Sequence, residues 1–318
     1  MANKSIAVIG AGQIGSRHLQ ALRGVKTPLD IVVIDQSENS LKVAKERYER
    51  MSTSGGKHIL HYQNQMPENF VFDIAIIATT SGPRATLAKE LTKKNKIKYL
   101  ILEKLLFTKK NDYATISKLL KTKKIKAWVN CPMRMIPFYA GLKKEFGGKK
   151  ITYILYGNQS GMATDLIHHI DFVSFLTGST DFKADTQLLD KKLKDSKRKG
   201  YLETTGSLSV FFENGSQLLV RCDNNGQSPK IIEIFDANKR YLLFESGGKT
   251  SVLKVPDWKL KEMRFNIPYQ SQLTTILIKN LLSKGKCKLP TYKESAKLHL
   301  QILEPIRKYF KLNNYPFT

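Results

Sequence analysis

The chain has 318 residues, of which 41% are hydrophobic and 25% charged, so it can form one or two globular domains with a sizeable core. It has no run of 18 apolar residues, which argues against a membrane span, and its N-terminal apolar run is too short for a secretory signal. Its three cysteines are scattered and show no zinc-site spacing, which argues against a disulfide framework and a zinc site. We therefore expect a cytoplasmic protein. The net charge of +26 comes mostly from lysines spread along the chain, a pattern that favours a solvated surface over a nucleic-acid interface.

The first 130 residues alternate apolar runs of strand length with amphipathic helical segments. The predicted strands cover residues 5–9, 31–34, 59–62, 73–78, 99–102 and 127–129. The first predicted helix begins at Gln13, and three further helices cover residues 41–50, 84–92 and 112–121. Strands that are apolar throughout are typical of a parallel sheet with helices on both faces. The pattern predicts an α/β fold in which residues 1–130 form a doubly wound Rossmann domain.

The remaining residues, 131–318, have a different pattern. Strand-like segments separated by turn residues cover 151–156, 206–212, 216–222, 230–235 and 240–244, and Asn214-Gly215 and Asn225-Gly226 are typical of β-hairpins. Helical patterns cover 165–176, 270–282 and 292–310. We expect an α+β domain with a large, mostly antiparallel open sheet that serves substrate binding and oligomerisation, and a last helix that packs back on the first domain.

A glycine-rich turn follows the first strand and opens the first helix. The turn and the first helical residues form the predicted cofactor site, which comprises Gly10, Gly12, Gln13, Ile14 and Gly15. In this context the G-x-G-x-x-G spacing provides a tight turn, an approach for a diphosphate and close helix packing, and the helix N-terminus attracts the phosphates. Asp35 ends the second strand, where a carboxylate would bind the adenosine ribose and repel a 2′-phosphate. The sequence therefore predicts NAD as the cofactor and favours it over NADP.

Polar residues also follow the fourth and fifth predicted strands, at the sheet edge where such folds bind ligands. Thr79 and Thr80 are placed to contact the nicotinamide ribose, although a polar loop with a helix cap explains them equally well. Glu103 and Lys104 follow the fifth strand. A half-buried lysine can exchange the hydroxyl proton that accompanies hydride transfer. In a lysine-rich chain, an exposed lysine of no special role is the alternative.

A second set of ionisable residues begins a predicted helix in the second domain. Asp165, His168 and Asp171 are spaced three apart, so neighbours in this series lie close together on a helix. An aspartate three residues from a histidine can orient its ring and favour its charged form, which suits acid–base chemistry. A helix cap followed by a core histidine is the alternative.

Together these motifs resemble the Gfo/Idh/MocA oxidoreductases, the relatives of glucose–fructose oxidoreductase and inositol dehydrogenase. The resemblance rests on the glycine turn with His18 three residues beyond it, on Glu103-Lys104, on His168-x-x-Asp171, and on residues 289–295 before the last helix. It implies an NAD(P)-dependent enzyme that acts on a hydroxyl or keto carbon of a sugar, cyclitol or nucleotide sugar. It implies that Lys104 lies beside the nicotinamide, that Lys104 and His168 transfer the proton, that Asp171 orients His168, and that Asp165 lines the substrate side. It also implies a homodimer or homotetramer formed through the open sheet.

Three positions depart from the family pattern. The proline that usually follows Glu-Lys is Leu105, and a non-proline cis bond is costly, so we expect a trans peptide there. Arg84 replaces a histidine often found after the fourth strand, and Leu166 replaces a glycine before the catalytic histidine. These differences indicate an unusual substrate pocket, and they keep a second hypothesis open, that of a non-catalytic NAD-binding regulatory protein of the same fold.

Basic residues of the second domain are candidates for binding an acidic substrate. Residues 197–203 resemble a segment of family members associated with bacterial surface-sugar and nucleotide-sugar pathways, and their Arg198 and Lys199 could pair with phosphate or carboxylate. Arg134, which follows the sixth strand, is a further candidate anion contact. A solvated basic loop is the alternative. Tyr139 and Lys143 fit the spacing of the short-chain dehydrogenase pair, but the glycine spacing of that class is missing, so we expect Tyr139 to pack on a helix.

Overall fold

The structure is a computed structural model and describes residues 3–52, 55–158 and 161–318. The chain divides into two compact units. The first unit comprises Met1–Asn130 and Pro268–Lys293, and the second comprises Cys131–Ile267 and Glu294–Thr318. The predicted domain boundary at residue 130 and the role of each domain stay predictions.

The helices and strands of the described residues are numbered along the chain. The α-helices are α1 (Gln13–Leu22), α2 (Glu38–Glu49), α3 (Ser81–Lys94), α4 (Lys110–Thr122), α5 (Pro137–Phe146), α6 (Met162–Thr177), α7 (Gln270–Lys284) and α8 (Tyr292–Tyr309). The strands are β1 (Lys4–Ile9), β2 (Leu29–Ile34), β3 (His58–Gln63), β4 (Val71–Ile77), β5 (Lys96–Leu102), β6 (Lys126–Val129), β7 (Thr152–Asn158), β8 (Phe182–Asp185), β9 (Lys194–Asp195), β10 (Leu202–Glu203), β11 (Gly206–Phe212), β12 (Gln217–Asp223), β13 (Ile231–Phe235), β14 (Lys239–Phe244), β15 (Lys249–Lys254) and β16 (Lys261–Arg264).

The first unit is built on a parallel sheet with the strand order β3-β2-β1-β4-β5-β6. Neighbouring strands pair in parallel throughout. The carboxyl halves of β1, β2, β4 and β5 are buried, as their continuous apolar sequences predict. This order is the doubly wound arrangement, so the predicted Rossmann fold is confirmed. Its carboxyl edge carries the glycine turn after β1 and the polar residues after β4 and β5.

The second unit is built on an eight-stranded sheet with the order β16-β15-β14-β13-β7-β12-β11-β8. All neighbouring pairs are antiparallel except β7 with β12, so the predicted, mostly antiparallel sheet is confirmed. The turn at Asn214-Gly215 joins β11 to its partner β12, as a hairpin should. The hairpin predicted at Asn225-Gly226 is wrong, because β7 lies between β12 and β13 and pairs with both. A dipeptide that favours a tight turn does not determine which strands pair.

The two faces of this second sheet differ in burial. On one face, alternate residues such as Leu218 and Ile234 are fully buried, and Tyr153 and Tyr241 contact side chains of α6 and α5. On the opposite face, apolar residues of the central strands are half-buried or, at Phe211, exposed, and they pair with polar side chains such as Arg221, Glu233 and Arg240. This open face includes Ile154, Tyr156, Phe211, Leu219, Ile231, Phe235, Leu242, Phe244 and Leu253.

Membrane-spanning helices and metal clusters are both absent from the described ranges. No helix there is long and apolar enough to cross a membrane. No group of three or more histidine, cysteine, aspartate or glutamate side chains in the same ranges could hold a metal ion.

Candidate functional site

The glycine turn after β1 has the geometry that a bound diphosphate requires. Gly10 has a φ of +92°, which favours glycine, and a Cβ there would lie 2.9 Å from a Thr79 carbon. A Cβ on Gly15 would lie 1.6 Å from the Gly10 carbonyl oxygen, so this glycine lets α1 pack against the turn. A Cβ on Gly12 would have no atom within 4 Å. The space above Gly12 is therefore open to a ligand at the N-terminus of α1, where Gln13 is exposed and Ile14 half-buried.

Asp35 is held beside this turn by the backbone. Its Oδ2 accepts a hydrogen bond from the Ala11 amide at 2.7 Å, and its Oδ1 accepts one from the Ser37 amide at 2.9 Å. Each carboxylate oxygen has a second lone pair, so the group can still accept hydrogen bonds from two ribose hydroxyls. The sequence predicts a carboxylate at the end of β2, and the hydrogen bonds from the two backbone amides explain how this carboxylate is oriented.

A cavity of about 400 Å³ extends from the turn along the carboxyl edge of the sheet. Its lining includes Gly10, Asp35, Gln36, Met66, Thr79 and Leu87. Its size, its apolar side chains and the carboxylate of Asp35 fit the adenosine half of a dinucleotide. The predicted cofactor residues Gly10, Asp35 and Thr79 thus meet in one cavity. Sequence reasoning missed Met66 and Leu87, because no local pattern indicates which apolar residues reach a ligand.

Arg84 is buried near the ends of β4 and β5, with 1% of its surface exposed. Its guanidinium donates hydrogen bonds to the carbonyl oxygens of Thr79, Leu105 and Leu106, the last at 2.9 Å. Three carbonyls on one buried cation fix the polar loops after both strands relative to each other. Within the first unit, Arg84 therefore stabilises the loops that follow β4 and β5, and the first of these loops includes the cavity residue Thr79.

The Glu103-Lys104 dipeptide lies at the carboxyl end of β5. Lys104 is half-buried, and the peptide that joins it to Leu105 is cis, so the expectation of a trans peptide was wrong. The expectation considered Leu105 alone, whereas the buried surroundings of Leu105, 1% exposed and bonded through its carbonyl to Arg84, are long-range features. Glu103 is buried beside His18, with 2.9 Å between His18 Nε2 and Glu103 Oε1.

In the second unit, Asp165 begins a chain of hydrogen-bonded side chains that involves His169. His169 Nε2 lies 3.3 Å from Asp165 Oδ2, and its Nδ1 lies 2.6 Å from the Tyr153 hydroxyl. Burial would raise the pKa of Asp165, but the hydrogen bond and charge of His169, together with Lys230 and His168, lower this pKa well below its usual range. Asp165 is therefore a fixed negative charge near neutral pH. His168 itself is half-buried on the same helix.

The same chain of contacts continues through Lys230. Its Nζ lies 3.6 Å from Asp165 Oδ2 and 2.7 Å from Glu245 Oε2, and Glu245 also accepts a hydrogen bond from the Tyr139 hydroxyl. Tyr139 is fully buried on α5, as expected, while Lys143 donates to backbone carbonyls at the end of α6. The Asp165–His169 spacing of four residues could have indicated this pair from sequence. The long-range partners could not have been found that way.

Asp171 has a partner that the sequence did not indicate. Arg134 donates to Asp171 Oδ2 at 3.0 Å and to Oδ1 at 2.6 Å, and the same guanidinium donates to Glu294 at 3.0 Å. Burial raises the pKa of Asp171 to about 7, while the Arg134 guanidinium opposes that rise. Both Asp171 and Arg134 are therefore engaged in a buried ion cluster. Their predicted roles, orienting His168 and binding an anion, stay predictions.

Arg198 and Lys199 lie in the exposed turn between β9 and β10. The hairpin is attached to α6 by Glu203, whose carboxylate accepts hydrogen bonds from the Ala163 amide at 2.5 Å and from the Thr164 hydroxyl at 2.7 Å. A carboxylate at a helix N-terminus satisfies otherwise unpaired amides. The basic turn thus belongs to a hairpin anchored at the start of the helix that carries Asp165 and His168.

Comparison with known proteins agrees with this geometry. A parallel doubly wound sheet, an open glycine turn and a carboxylate at the end of the second strand are typical of a dinucleotide-binding domain. Residues 4–131 match the family model GFO_IDH_MocA, described as an oxidoreductase family with an NAD-binding Rossmann fold. Residues 4–131 therefore match the NAD-binding domain of this oxidoreductase family, in agreement with the predicted resemblance and with NAD as the predicted cofactor.

Solved structures extend the similarity of fold to nearly the whole chain. An oxidoreductase from Agrobacterium radiobacter, solved with NAD+, L-tartaric acid and magnesium, has a TM-score of 0.74 at 15% identity and covers 98% of this chain and 97% of its own. UDP-N-acetylglucosamine 3-dehydrogenase GnnA from Acidithiobacillus ferrooxidans has a TM-score of 0.69 at 12% identity, covering 96% and 97%. Biliverdin reductase from Synechocystis sp. PCC 6803, solved with biliverdin and NADP+, has a TM-score of 0.70 at 13% identity, covering 96% and 98%. A comparison with curated proteins finds no match to the sequence.

Proposed function

We propose that the protein is an NAD-dependent oxidoreductase that transfers a hydride to or from a hydroxyl- or keto-bearing carbon of a sugar, cyclitol or nucleotide sugar. The observation that carries the proposal is the open space above Gly12 beside a carboxylate, Asp35, that two backbone amides hold in place. When bound, NAD supplies the hydride chemistry, and the chain supplies binding, orientation and proton transfer.

The cofactor residues divide into two groups. Gly10, Gly12, Gln13, Ile14 and Gly15 surround the turn that would receive the diphosphate, and Asp35 would bind the adenosine ribose. Thr79, Thr80 and Glu103 lie at the ends of β4 and β5, where the nicotinamide half would extend. The negative charge of Asp35 favours NAD over NADP, because it would repel a 2′-phosphate.

Lys104 is the proposed proton-transfer group of the first unit. It is half-buried at the carboxyl end of β5, next to the buried Glu103. An ammonium in this position can donate a proton to a substrate oxygen during reduction, or its neutral form can accept one during oxidation.

His168 is the proposed proton-transfer group of the second unit, and Asp165 is proposed to act on it through charge. Asp165 stays ionised near neutral pH, so it does not itself exchange protons. Its negative charge would instead favour the charged form of the His168 imidazole. His169, which contacts Asp165 directly, would help to orient that carboxylate. Asp171, which Arg134 binds, is proposed to orient His168 by fixing the position of α6, without contacting the substrate.

The substrate class is proposed from charge. The exposed Arg198 and Lys199, on the hairpin attached to α6, and the buried Arg134 are candidate contacts to a phosphate or carboxylate. A nucleotide sugar of the kind used in surface polysaccharide synthesis would carry such a group. The apolar residues on the open face of the second sheet support a homodimer or homotetramer, because apolar side chains grouped on one face are typically covered by a partner.

The proposal is tested by separating binding from turnover. The wild-type protein should bind NADH in a fluorescence titration and should change NADH absorbance with at least one member of a panel of sugars, cyclitols and nucleotide sugars. Lys104→Met should reduce turnover by about 100-fold or more while NADH affinity stays within about threefold. Lys118→Met, on the exposed face of α4, is the matched control and should leave both unchanged.

The outcomes distinguish the two hypotheses. NADH binding with no turnover across the panel would support a non-catalytic regulatory protein, for which Leu105, Leu166 and Arg84 are the motivating substitutions. Absence of NADH binding would contradict both hypotheses.

A further inference from the structure

Five side chains of the first unit form a closed ring of hydrogen bonds next to Lys104. His18 Nε2 and Asn130 Nδ2 both contact Glu103 Oε1, at 2.9 and 2.5 Å. His18 Nδ1 lies 2.9 Å from the Thr274 hydroxyl, and Gln270 Nε2 lies 3.2 Å from the same hydroxyl. A longer contact of 3.5 Å from Gln270 Nε2 to Asn130 Oδ1 closes the ring. All members but the half-buried Gln270 are buried.

The single carboxylate fixes the direction of the donors from Glu103 through Asn130 to Gln270. Burial would raise the pKa of Glu103, but hydrogen bonds from His18 and Asn130 and the positive charge of Arg84 lower it, so the group is ionised and only accepts. Asn130 must therefore turn its amide nitrogen to Glu103, which leaves its oxygen facing Gln270. The Gln270 nitrogen must then donate both to Asn130 and to Thr274.

The remaining protons concern the contact between Thr274 and His18. The Thr274 hydroxyl accepts from Gln270, and in the arrangement that we assign it donates its own proton to His18 Nδ1. His18 is then protonated on Nε2 and donates to Glu103. In this arrangement every contact of the ring has one donor and one acceptor, and the Gln270 amide donates to both Asn130 and Thr274.

The ring joins parts of the chain that are far apart in sequence. His18 lies on α1, Glu103 and Asn130 follow β5 and β6, and Gln270 and Thr274 occupy the first turns of α7. Resting on the function proposed above, we propose that Gln270 and Thr274 are positioning residues that, through His18 and Asn130, hold the Glu103-Lys104 dipeptide for its role at the nicotinamide. α7 would then contribute to the cofactor site without touching the adenosine cavity.

Replacement of single atoms tests this proposal. Gln270→Glu keeps the shape of the side chain but replaces its two donors with an acceptor, and Thr274→Val removes the hydroxyl that connects Gln270 to His18. Thr274→Ser keeps that hydroxyl and should behave as wild type. Gln227→Glu, an exposed position, makes the same chemical change as Gln270→Glu outside the ring.

Two readouts are measured on the folded full-length variants at pH 7. Imidazole ¹⁵N chemical shifts should show His18 protonated on Nε2 in the wild type, with an Nδ1 resonance that moves in Thr274→Val but not in Thr274→Ser. Affinity for NADH should fall by about fivefold or more in Gln270→Glu and Thr274→Val, while affinity for ADP-ribose, which lacks the nicotinamide, stays within about twofold. The Ser variant and Gln227→Glu should match wild type for both ligands.

Three results would overturn the inference: His18 protonated on Nδ1, equal losses of NADH and ADP-ribose affinity, or unchanged NADH affinity in both ring variants. If Gln270→Glu does not fold, the Val and Ser variants at position 274 decide the matter. If wild type binds neither ligand, the proposed function fails, and the His18 resonances still decide whether the ring is as inferred.

Discussion

Adding a methyl group to Gly15 should lower the stability of the protein, whereas adding one to Gly12, in the same turn, should lower its affinity for NADH. In Gly15→Ala the new Cβ would lie 1.6 Å from the Gly10 carbonyl oxygen, and it must reach at least about 3.0 Å, so α1 or the turn has to move by more than 1 Å. The turn cannot yield easily, because the Cβ position of Gly10 itself lies only 2.9 to 3.0 Å from atoms of Thr79 and Ala78. Overpacking of this kind costs about 3 kcal/mol of unfolding free energy.

In Gly12→Ala the new methyl would meet no protein atom within 4 Å. Its φ of −65° suits alanine, so the free energy of unfolding should stay within about 1 kcal/mol of wild type. The methyl would occupy the space that a diphosphate needs, and NADH affinity should fall by about tenfold or more, equal to about 1.4 kcal/mol.

Urea denaturation and NADH titration of both variants check these expectations. Gly12→Ala should lose affinity and keep stability, whereas Gly15→Ala should lose stability. If Gly12→Ala bound NADH as tightly as wild type, the placement of the diphosphate above this glycine would be wrong.

Three further predictions concern charge and packing. Asp165 has a lowered pKa in the folded state, so its contribution to stability is complete above the unfolded pKa of about 4 and is lost as pH falls toward the folded value. The difference in unfolding free energy between wild type and Asp165→Asn, measured in urea, should be constant from about pH 8 to 5 and should shrink below about pH 4. A difference that grew on acidification would contradict this prediction. Arg84→Met would leave three carbonyls, two of them buried, without this donor and should lower the free energy of unfolding by about 3 kcal/mol. Arg84→Lys should restore no more than half of that loss, because an ammonium lacks the planar fork of donors. A Met variant that unfolds in urea within about 1 kcal/mol of wild type would refute this prediction. Light scattering should show that the wild type is a dimer or tetramer in solution. Leu219→Lys, on the open face of the sheet, should lower the molar mass of the assembly, whereas Leu188→Lys, in an exposed loop, should not. A monomeric wild type would exclude the proposed interface.

The sequence was most informative where one residue type has one physical use. The positions of Gly10, Gly15 and Asp35 could be predicted because a positive φ, a close helix contact and a carboxylate beside the glycine turn each demand a particular residue type at a particular point of a strand–turn–helix unit. Most strands of the parallel sheet were found for a similar reason, since the buried carboxyl halves of β1, β2, β4 and β5 are continuous apolar runs in the sequence. The antiparallel sheet was recognised in outline, although β8, β15 and β16 were missed and one hairpin was misassigned.

The sequence was least informative where function depends on contacts between distant segments. Nothing local indicates that Arg134 binds Asp171, that Tyr153 contacts His169, or that Gln270 completes a ring with Glu103. The cis peptide before Leu105 belongs to the same class, because its surroundings come from α3 and β4. Sequence reasoning finds candidate residues, and three-dimensional packing decides which of them share a network.

Discrimination between NADH and NADPH by the wild-type protein and by Asp35→Ser tests whether Asp35 binds the adenosine ribose and selects NAD. The wild type should bind NADH about tenfold or more tightly than NADPH, because the Asp35 carboxylate would accept from ribose hydroxyls and repel a 2′-phosphate, and the serine variant should lose most of this preference. Equal affinity of the wild type for both nucleotides, or a preference that survives the loss of the carboxylate, would show that Asp35 does not select the cofactor.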